Sequence, residues 1–250
     1  MKKLKTCIVI PARLKSTRLP EKLLLSETGR PLIQHTYQAA QKSQRADRVL
    51  VATDAPEILH VVEGFGGTAC LTDRHHTSGT ERLAEIAQQM PECELFVNLQ
   101  GDEPELEPQA IDQAIESLIE RPEAQMASLA CPIRDELLFQ DPDCVKVVFD
   151  NAGRALYFSR SPIPFWRDAD GPKGTQPIWG WQHVGVYVYR REFLLRYSQL
   201  PGRDLEMAEK LEQLRVLQSG YSIQITKIPA SPPGIDTAED YASFVRRQSS

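Results

Sequence analysis

Short β-branched runs alternate with helix-like segments along the opening part of the chain, and this alternation constrains the fold more than any other feature. "KTCIVIPAR" reads as a strand buried on both faces. "GRPLIQHTYQAAQKSQ" follows, with Pro31 at the first helical position and Leu32, Ile33, Tyr37 and Ala40 at helical spacing. "DRVLVATD" is a second strand, "APEILHVVEGFGG" a helix closed by glycines, and "TACLT" a third strand. "SGTERLAEIAQQM" is a helix with Ser78 and Glu81 in capping-box positions, and "ELFVNLQGDEP" is a strand running into an acidic turn. Strands joined through helices in this order pair in parallel with right-handed crossovers. The expected fold is therefore α/β, with a doubly wound, mostly parallel sheet.

The rhythm changes near Gln125. "QMASLACPI", "DCVKVVFDNAGRALYFSR" and "WQHVGVYVYR" are strands with hairpin signals, the clearest at Asp150-Asn151-Ala152-Gly153. Ser161 to Gln182 carries Pro162, Pro164, Pro172 and Pro177 with Trp166, Trp179 and Trp181, which is long for a simple connection and reads as a functional or partner-facing loop. "DLEMAEKLEQLRVLQSG" is a helix ended by Gly220, "YSIQITKI" a strand, and "DTAEDYASFVRR" a final helix. With no repeat or linker in view, residues 1–250 are expected to form one domain. Residues 154–190 would be a mixed-sheet hairpin and loop insertion.

The chain has 250 residues, enough to bury a core without staples. Its net charge of −5 argues against a protein that coats nucleic acid. Cys7, Cys70, Cys93, Cys131 and Cys144 form no C-x-x-C pair, so they read as reduced, packed thiols. "MKKLKTCIVIPAR" opens with cations, but its apolar run stops at Ile10, too short for a signal core or a membrane span. The expected location is the cytoplasm, with neither nucleic acid nor membrane as partner.

In an open parallel sheet, ligands bind beyond the carboxyl ends of the strands. Three loops qualify. The first, residues 11–22, carries Arg13, Lys15, Arg18 and Lys22 against the acidic sign of the whole chain. It matches neither G-x-G-x-x-G nor a P-loop, so phosphate would be held by guanidinium forks at Arg13 and Arg18 and the point charge of Lys22. The second, residues 73–80, places Ser78, Gly79 and Thr80 at a helix N-terminus, suited to hydrogen-bonding a sugar or base. The third, residues 100–105, presents Asp102 and Glu103, carboxylates that suit Mg²⁺. Together the loops describe a nucleoside triphosphate site with a metal. Asp236, in "DTAED", reads from its spacing to Glu239 as a helix N-cap. His75 and His76 have no third ligand nearby and read as solvated loop residues.

The segments "IPARLKSTRLPEK", "VATD", "SGTERLAE", "VNLQGDEP", "KVVFDNAGRALYFSRSPIP", "HVGVYVYR", "AEKLEQLRVLQSG" and "GIDTAEDY" span nearly the whole chain. In this order they resemble the CMP-KDO synthetases, the 3-deoxy-manno-octulosonate cytidylyltransferases, which share a nucleotide-diphospho-sugar transferase-like fold. The resemblance implies attack of the anomeric 2-hydroxyl of KDO on the α-phosphorus of CTP, giving CMP-KDO for lipopolysaccharide synthesis and pyrophosphate. It implies that Arg13, Arg18 and Lys22 hold the triphosphate, and that Ser78, Gly79, Thr80 and Arg82 contact the nucleotide. Asp102 and Asp236 would hold Mg²⁺, against the cap reading of Asp236. Gln100, Arg160, His183, Tyr187, Glu212 and Gln213 would meet the acceptor, and the insertion would contribute to a homodimer. Alternatives are a cytidylyltransferase for 8-amino-KDO or sialic acid, a sugar-nucleotide-dependent glycosyltransferase, or a non-catalytic nucleotide-binding module. One departure stands out: the family usually reads "LPGKPL" where this chain has "LPEKLL". Glu21 thus replaces a glycine, at a place where glycine would signal positive φ or close backbone approach.

Overall fold

The computed structural model describes residues 4–249 except Lys15, Thr17, Ala169, Asp170 and Gln176. Its first elements are β1 (Thr6–Ala12), α1 (Leu32–Ala40), β2 (Arg48–Thr53), α2 (Pro56–Gly64), β3 (Ala69–Leu71), α3 (Gly79–Gln89) and β4 (Leu95–Asn98). Then come α4 (Pro108–Glu120), β5 (Met126–Ile133), α5 (Glu136–Gln140), β6 (Lys146–Phe149), β7 (Ala155–Ser159) and β8 (Gly180–Arg190). The last are α6 (Arg191–Leu194), α7 (Asp204–Glu209), α8 (Gln213–Gln218), β9 (Ile223–Lys227) and α9 (Ala238–Gln248). The chain divides into two compact units. One comprises Met1–Asp112, Tyr189–Tyr197 and Pro232–Ser250, the other Gln113–Val188 and Ser198–Ser231.

In the first unit β3, β2, β1 and β4 lie side by side in that order, all parallel. Ile8 stands opposite Val49, and Val9 opposite both Leu50 and Asn98. Cys7, Ile8, Val9 and Ile10 are fully buried. Successive strand residues point to opposite faces, so this unbroken burial requires cover on both. Helices supply it with apolar stripes, such as Leu32, Ile33 and Tyr37 of α1 and Leu83 and Ile86 of α3. The chain steps from β1 to β2 to β3 in one direction and then returns to place β4 on the other side of β1. Strand order therefore reverses between β1 and β4, which is where such sheets bind ligands.

The second unit is mixed. β5 pairs in parallel with β9, and β6 pairs antiparallel with β7 and β8. The β6–β7 hairpin turns through Asp150–Gly153 as anticipated, with Gly153 at φ 83. A side chain there would also come within 2.8 Å of the Ile225 carbonyl. Within the Pro- and Trp-rich segment, Trp166 and Trp179 pack on Ile133, Phe139 and Cys144, and Trp166 Nε1 donates to the Trp179 carbonyl at 2.7 Å.

Several local expectations are corrected. Pro31 is the cap residue before α1, not its first residue. Ser78 caps α3 by accepting from the Glu81 N–H at 3.2 Å, but the Glu81 carboxylate turns to the Thr77 N–H at 2.8 Å and the Thr77 hydroxyl at 3.0 Å, so the box is not reciprocal. Helix α4, which the sequence reading passed over, buries Ala110, Ile111, Ala114, Ile115 and Leu118. "DLEMAEKLEQLRVLQSG" is two helices, broken where Lys210 takes φ 55 and ψ 45. The break lets Leu211 and Leu214 both reach the core. Finally, Asp236 is not the cap of α9. Thr237 is, with Asp240 completing a reciprocal box.

Candidate active site

At the switch point the first unit holds a cavity of about 310 Å³, lined by Pro11, Arg13, Ser16, Arg18, Lys22, Leu23, Gln100, Gly101, Asp102 and Asp236. The first and third predicted loops thus meet there; of the predicted cations, Lys15 lies outside the described residues. Gly101 allows a close approach, because a Cβ on it would meet the Leu23 side chain at 3.1 Å and Ile33 at 3.3 Å. Its carbonyl accepts from the Thr36 hydroxyl at 2.8 Å, and the Asp102 carbonyl accepts from the Ile235 N–H at 2.9 Å. The loop after β4 is thereby pinned to α1 and to the approach to α9. Glu21, in the place of the family glycine, keeps the left-handed conformation that glycine would favour, with φ 51 and ψ 26.

Lys22 is the electrostatic centre. Its ammonium donates to Asp102 Oδ2, to Asp236 Oδ1 at 3.0 Å and to the Ile235 carbonyl at 2.9 Å. Arg18 Nη2 takes the other oxygen of Asp236 at 2.9 Å. Burial works to lower the Lys22 pKa, but the charges and hydrogen bonds of Asp102 and Asp236 outweigh it and hold the ammonium above its ordinary value. Next along the chain, burial and the negative charges of Asp102 and Asp236 push Glu103 up to about 8, so at neutral pH its carboxyl is mostly protonated. Glu103 Oε2 is buried with no partner among the described residues. Arg13 lines the cavity and makes no ion pair or hydrogen bond within the described residues. Cations therefore outnumber ionised carboxylates, which suits a polyanion.

The second predicted loop does not line this cavity, but Gly79 lies against Pro11, which does. A Cβ on Gly79 would sit 3.1 Å from the Pro11 side chain, so α3 starts against the end of β1. Ser78 is occupied as a cap, and Thr80 is buried. Arg82, 4% exposed, bridges Asp54 Oδ2 at 3.2 Å and the Thr72 hydroxyl, tying together the ends of β2 and β3. Sequence reasoning missed Asp54 and Asn98. Asn98 Oδ1, at the end of β4, is a buried acceptor without a partner among the described residues. Polar side chains closing the apolar runs "VLVATD" and "LFVN" were the available signal.

In the second unit, His183, Tyr187 and Gln213 form one cluster. The Tyr187 hydroxyl donates to Gln213 Oε1 at 3.1 Å, and Gln213 Nε2 is buried without a partner among the described residues. His183 packs between Phe158 and Tyr187, with ring centroids 5.0 and 5.3 Å away, and its Nε2 lies 2.9 Å from Ser128 Oγ. Burial pushes its pKa down to about 3, so the imidazole is neutral. Glu212 is the half-buried cap residue of α8. Arg160 follows β7 with its side chain 36% exposed.

A parallel sheet whose switch-point cavity sets cations beside paired carboxylates defines a nucleotidyltransferase of the α/β class. A family profile described as cytidylyltransferase matches residues 7–226, and the chain belongs to that family. It is 46% identical over 246 residues to the 3-deoxy-manno-octulosonate cytidylyltransferase of Rhodopirellula baltica, covering 98% of each chain. It is 45% identical to the protein of the same name from Geobacter sulfurreducens, covering 96% of this chain and 97% of that one. A solved structure of CMP:2-keto-3-deoxy-manno-octonic acid synthetase complexed with CTP superposes with a TM-score of 0.91 at 40% identity, covering 98% of both chains.

Proposed function

We propose that this chain activates 3-deoxy-manno-octulosonate with CTP, giving CMP-KDO for lipopolysaccharide synthesis and pyrophosphate. The observation that carries this reading is Lys22 held between Asp102 and Asp236 at the switch point, with Arg13 and Arg18 beside it. In the reaction a bond forms from the acceptor's 2-oxygen to the α-phosphorus. The bond from that phosphorus to the bridging oxygen breaks, pyrophosphate leaves, and the hydroxyl proton passes to water. Arg13, Arg18 and Lys22 bind the triphosphate and neutralise the charge that grows on the departing pyrophosphate. Ser78, Gly79, Thr80 and Arg82 belong to the nucleotide side, with Arg82 acting through the loops it ties together. Gln100, Arg160, His183, Tyr187, Glu212 and Gln213 belong to the acceptor. Arg160 offers a fork to its carboxylate and Gln213 Nε2 an unused donor to a hydroxyl.

Asp102 and Asp236 fit a magnesium ion. Their oxygens converge on one positive centre, here the Lys22 ammonium, and Mg²⁺ takes one or two carboxylates and completes its shell with phosphate oxygens and water. Bound there, it would supply charge neutralisation at the α-phosphate.

Among the described residues no helix is long and apolar enough to cross a membrane. The five free thiols suit a reducing compartment, which supports a cytoplasmic location. Exposed Phe165 and Leu137, 87% and 80% accessible, support burial of part of the second unit in a homodimer.

The test is pyrophosphate release from CTP and Mg²⁺ with KDO, 8-amino-KDO or sialic acid as acceptor. Release with KDO, abolished in Asp102→Ala, is the expected result. Release with another acid alone moves the substrate and keeps the chemistry, whereas CTP binding without release under any acceptor overturns the reading.

A further inference from the structure

We propose that Glu209 and Lys146 are positioning residues that fix Arg160 in place before the acceptor arrives; this rests on the assignment of Arg160 to the acceptor's carboxylate. The two side chains grip the Arg160 backbone from opposite ends. The Arg160 N–H donates to Glu209 Oε2 at 2.9 Å, and the Arg160 carbonyl accepts from Lys146 Nζ at 2.6 Å. The other Glu209 oxygen accepts from the Ser159 hydroxyl at 2.6 Å, so both oxygens of this carboxylate serve the end of β7. On the same strand, burial and the neighbouring negative charge of Glu209 raise the pKa of Tyr157.

Lys146 is fully buried, and among the described residues its ammonium meets only carbonyls, those of Asp141 at 2.8 Å, Cys144 at 2.6 Å and Arg160. An ammonium has three donors, and all three are satisfied. Burying a cation without a carboxylate partner is costly, and burial lowers the Lys146 pKa. A neutral apolar residue would fill the same space, but it could not hold three carbonyls to one point.

The Arg160 side chain is held as well. Nε donates to the Glu209 carbonyl at 2.8 Å and Nη1 to the Pro142 carbonyl at 3.0 Å, with Asp143 3.9 Å from Nη1. That Glu209 carbonyl is available because Lys210, at φ 55, ends α7 immediately after it, and the last carbonyls of a helix have no partner inside it. Nη2 has no partner among the described residues and faces partial exposure. The guanidinium plane is thus set while donors remain for a carboxylate, which reduces the ordering that binding would otherwise require.

The experiment is steady-state kinetics on the full chain, varying CTP and KDO separately, for Glu209→Gln, Arg160→Ala and the double variant. Glutamine offers one accepting oxygen where the Arg160 N–H and the Ser159 hydroxyl need two. Glu209→Gln is therefore expected to raise the acceptor KM about tenfold while the CTP KM holds. Arg160→Ala should raise the acceptor KM at least as much, and the double variant should match Arg160→Ala alone, because nothing remains to be positioned. Additive losses, or an equal rise in the CTP KM, overturn the grip and leave the Arg160 assignment standing. An unchanged acceptor KM in Arg160→Ala overturns that assignment and the positioning with it. If Glu209→Gln does not fold, Ser159→Ala removes one donor to the same carboxylate. A rise of about threefold supports the proposal there, and an unchanged acceptor KM overturns it.

Discussion

Thr237 and Asp240 close a reciprocal capping box at the start of α9. The Thr237 hydroxyl accepts from the Asp240 N–H at 3.2 Å, and Asp240 Oδ2 accepts from the Thr237 N–H at 2.9 Å. Asp236, one residue earlier, is thereby released from capping, and its oxygens go to Lys22 and Arg18. Helix stability and site chemistry fall to adjacent residues and are separable.

Thr237→Ala is expected to lower stability by about 1 kcal/mol, the usual loss of a cap, and to leave kcat nearly unchanged. Asp236→Ala should do the reverse, cutting kcat a hundredfold or more on the scale of lost transition-state charge stabilisation, with the cap intact. Urea denaturation and pyrophosphate release measure the two effects. Comparable loss of turnover in both variants would show that the helix start, rather than the carboxylate, is what the site needs.

Glu21 adopts a left-handed conformation in the cationic loop after β1 without being glycine. Glu21→Gly should raise stability by about 0.5–1 kcal/mol by removing that strain, net of the glycine's greater freedom when unfolded. It should also lower the CTP KM, because a carboxylate leaves the loop. Glu21→Ala separates the two: it removes the charge and keeps the strained backbone, so only the KM should fall. If Glu21→Gly melts no higher than Glu21→Ala, strain is not stored there.

The parts legible in the sequence were those decided locally. β1 and β2 are continuous apolar runs because both their faces are covered. The cationic loop stands out at a strand end against the acidic sign of the chain, and the acidic loop by following the buried run of β4. Asp236 was misread because Asp and Thr both cap well. The choice was settled by Lys22, 214 residues away in sequence. The break at Lys210 gave no sign, since a left-handed helix end is normally announced by glycine. Glu209 and Lys146 stand in the sequence only as members of a helix and a strand, because nothing local tells a buried lysine that it will meet three carbonyls. By contrast α4 was readable: Ala110, Ile111, Ala114, Ile115 and Leu118 repeat at helical spacing.

Arg82 is 5% exposed at its side chain and pairs with Asp54 rather than lining the cavity. Arg82→Ala is expected to cost about 2 kcal/mol, because the half-buried Asp54 carboxylate and the buried Thr72 hydroxyl lose their shared partner, and to raise the CTP KM as the second loop loosens. Asp54→Asn should raise the same KM although Asp54 itself is not among the residues proposed to meet the nucleotide. An Arg82→Ala protein of wild-type stability, together with an unaffected CTP KM in Asp54→Asn, would assign Arg82 to direct contact instead.

Burial holds the His183 imidazole near pKa 3, against an ordinary value near 6.5. Its neighbours are the Phe158 and Tyr187 rings and the Ser128 hydroxyl, and none of them stabilises an imidazolium by charge. Below pH 6.5 the unfolded chain binds a proton that the folded chain refuses. The stability tied to neutral His183 is therefore full above 6.5 and is lost as pH falls toward 3, at up to about 1.4 kcal/mol per unit. Asp150 and Asp240, whose pKa values are held below the ordinary carboxylate range, lose their contributions only in more acidic solution. Between pH 6.5 and 5 the His183 term falls by about 1.7 kcal/mol. His35, whose pKa burial also lowers, acts in the same sense, and Glu103, pushed up to about 8, acts in the opposite one, so the difference from His183→Gln is what isolates His183. Urea denaturation of wild type and His183→Gln across this range should give stability curves that converge by about that amount on acidification, because glutamine takes up no proton. Curves that stay parallel would mean that His183 titrates normally, and that solvent reaches it in the folded protein.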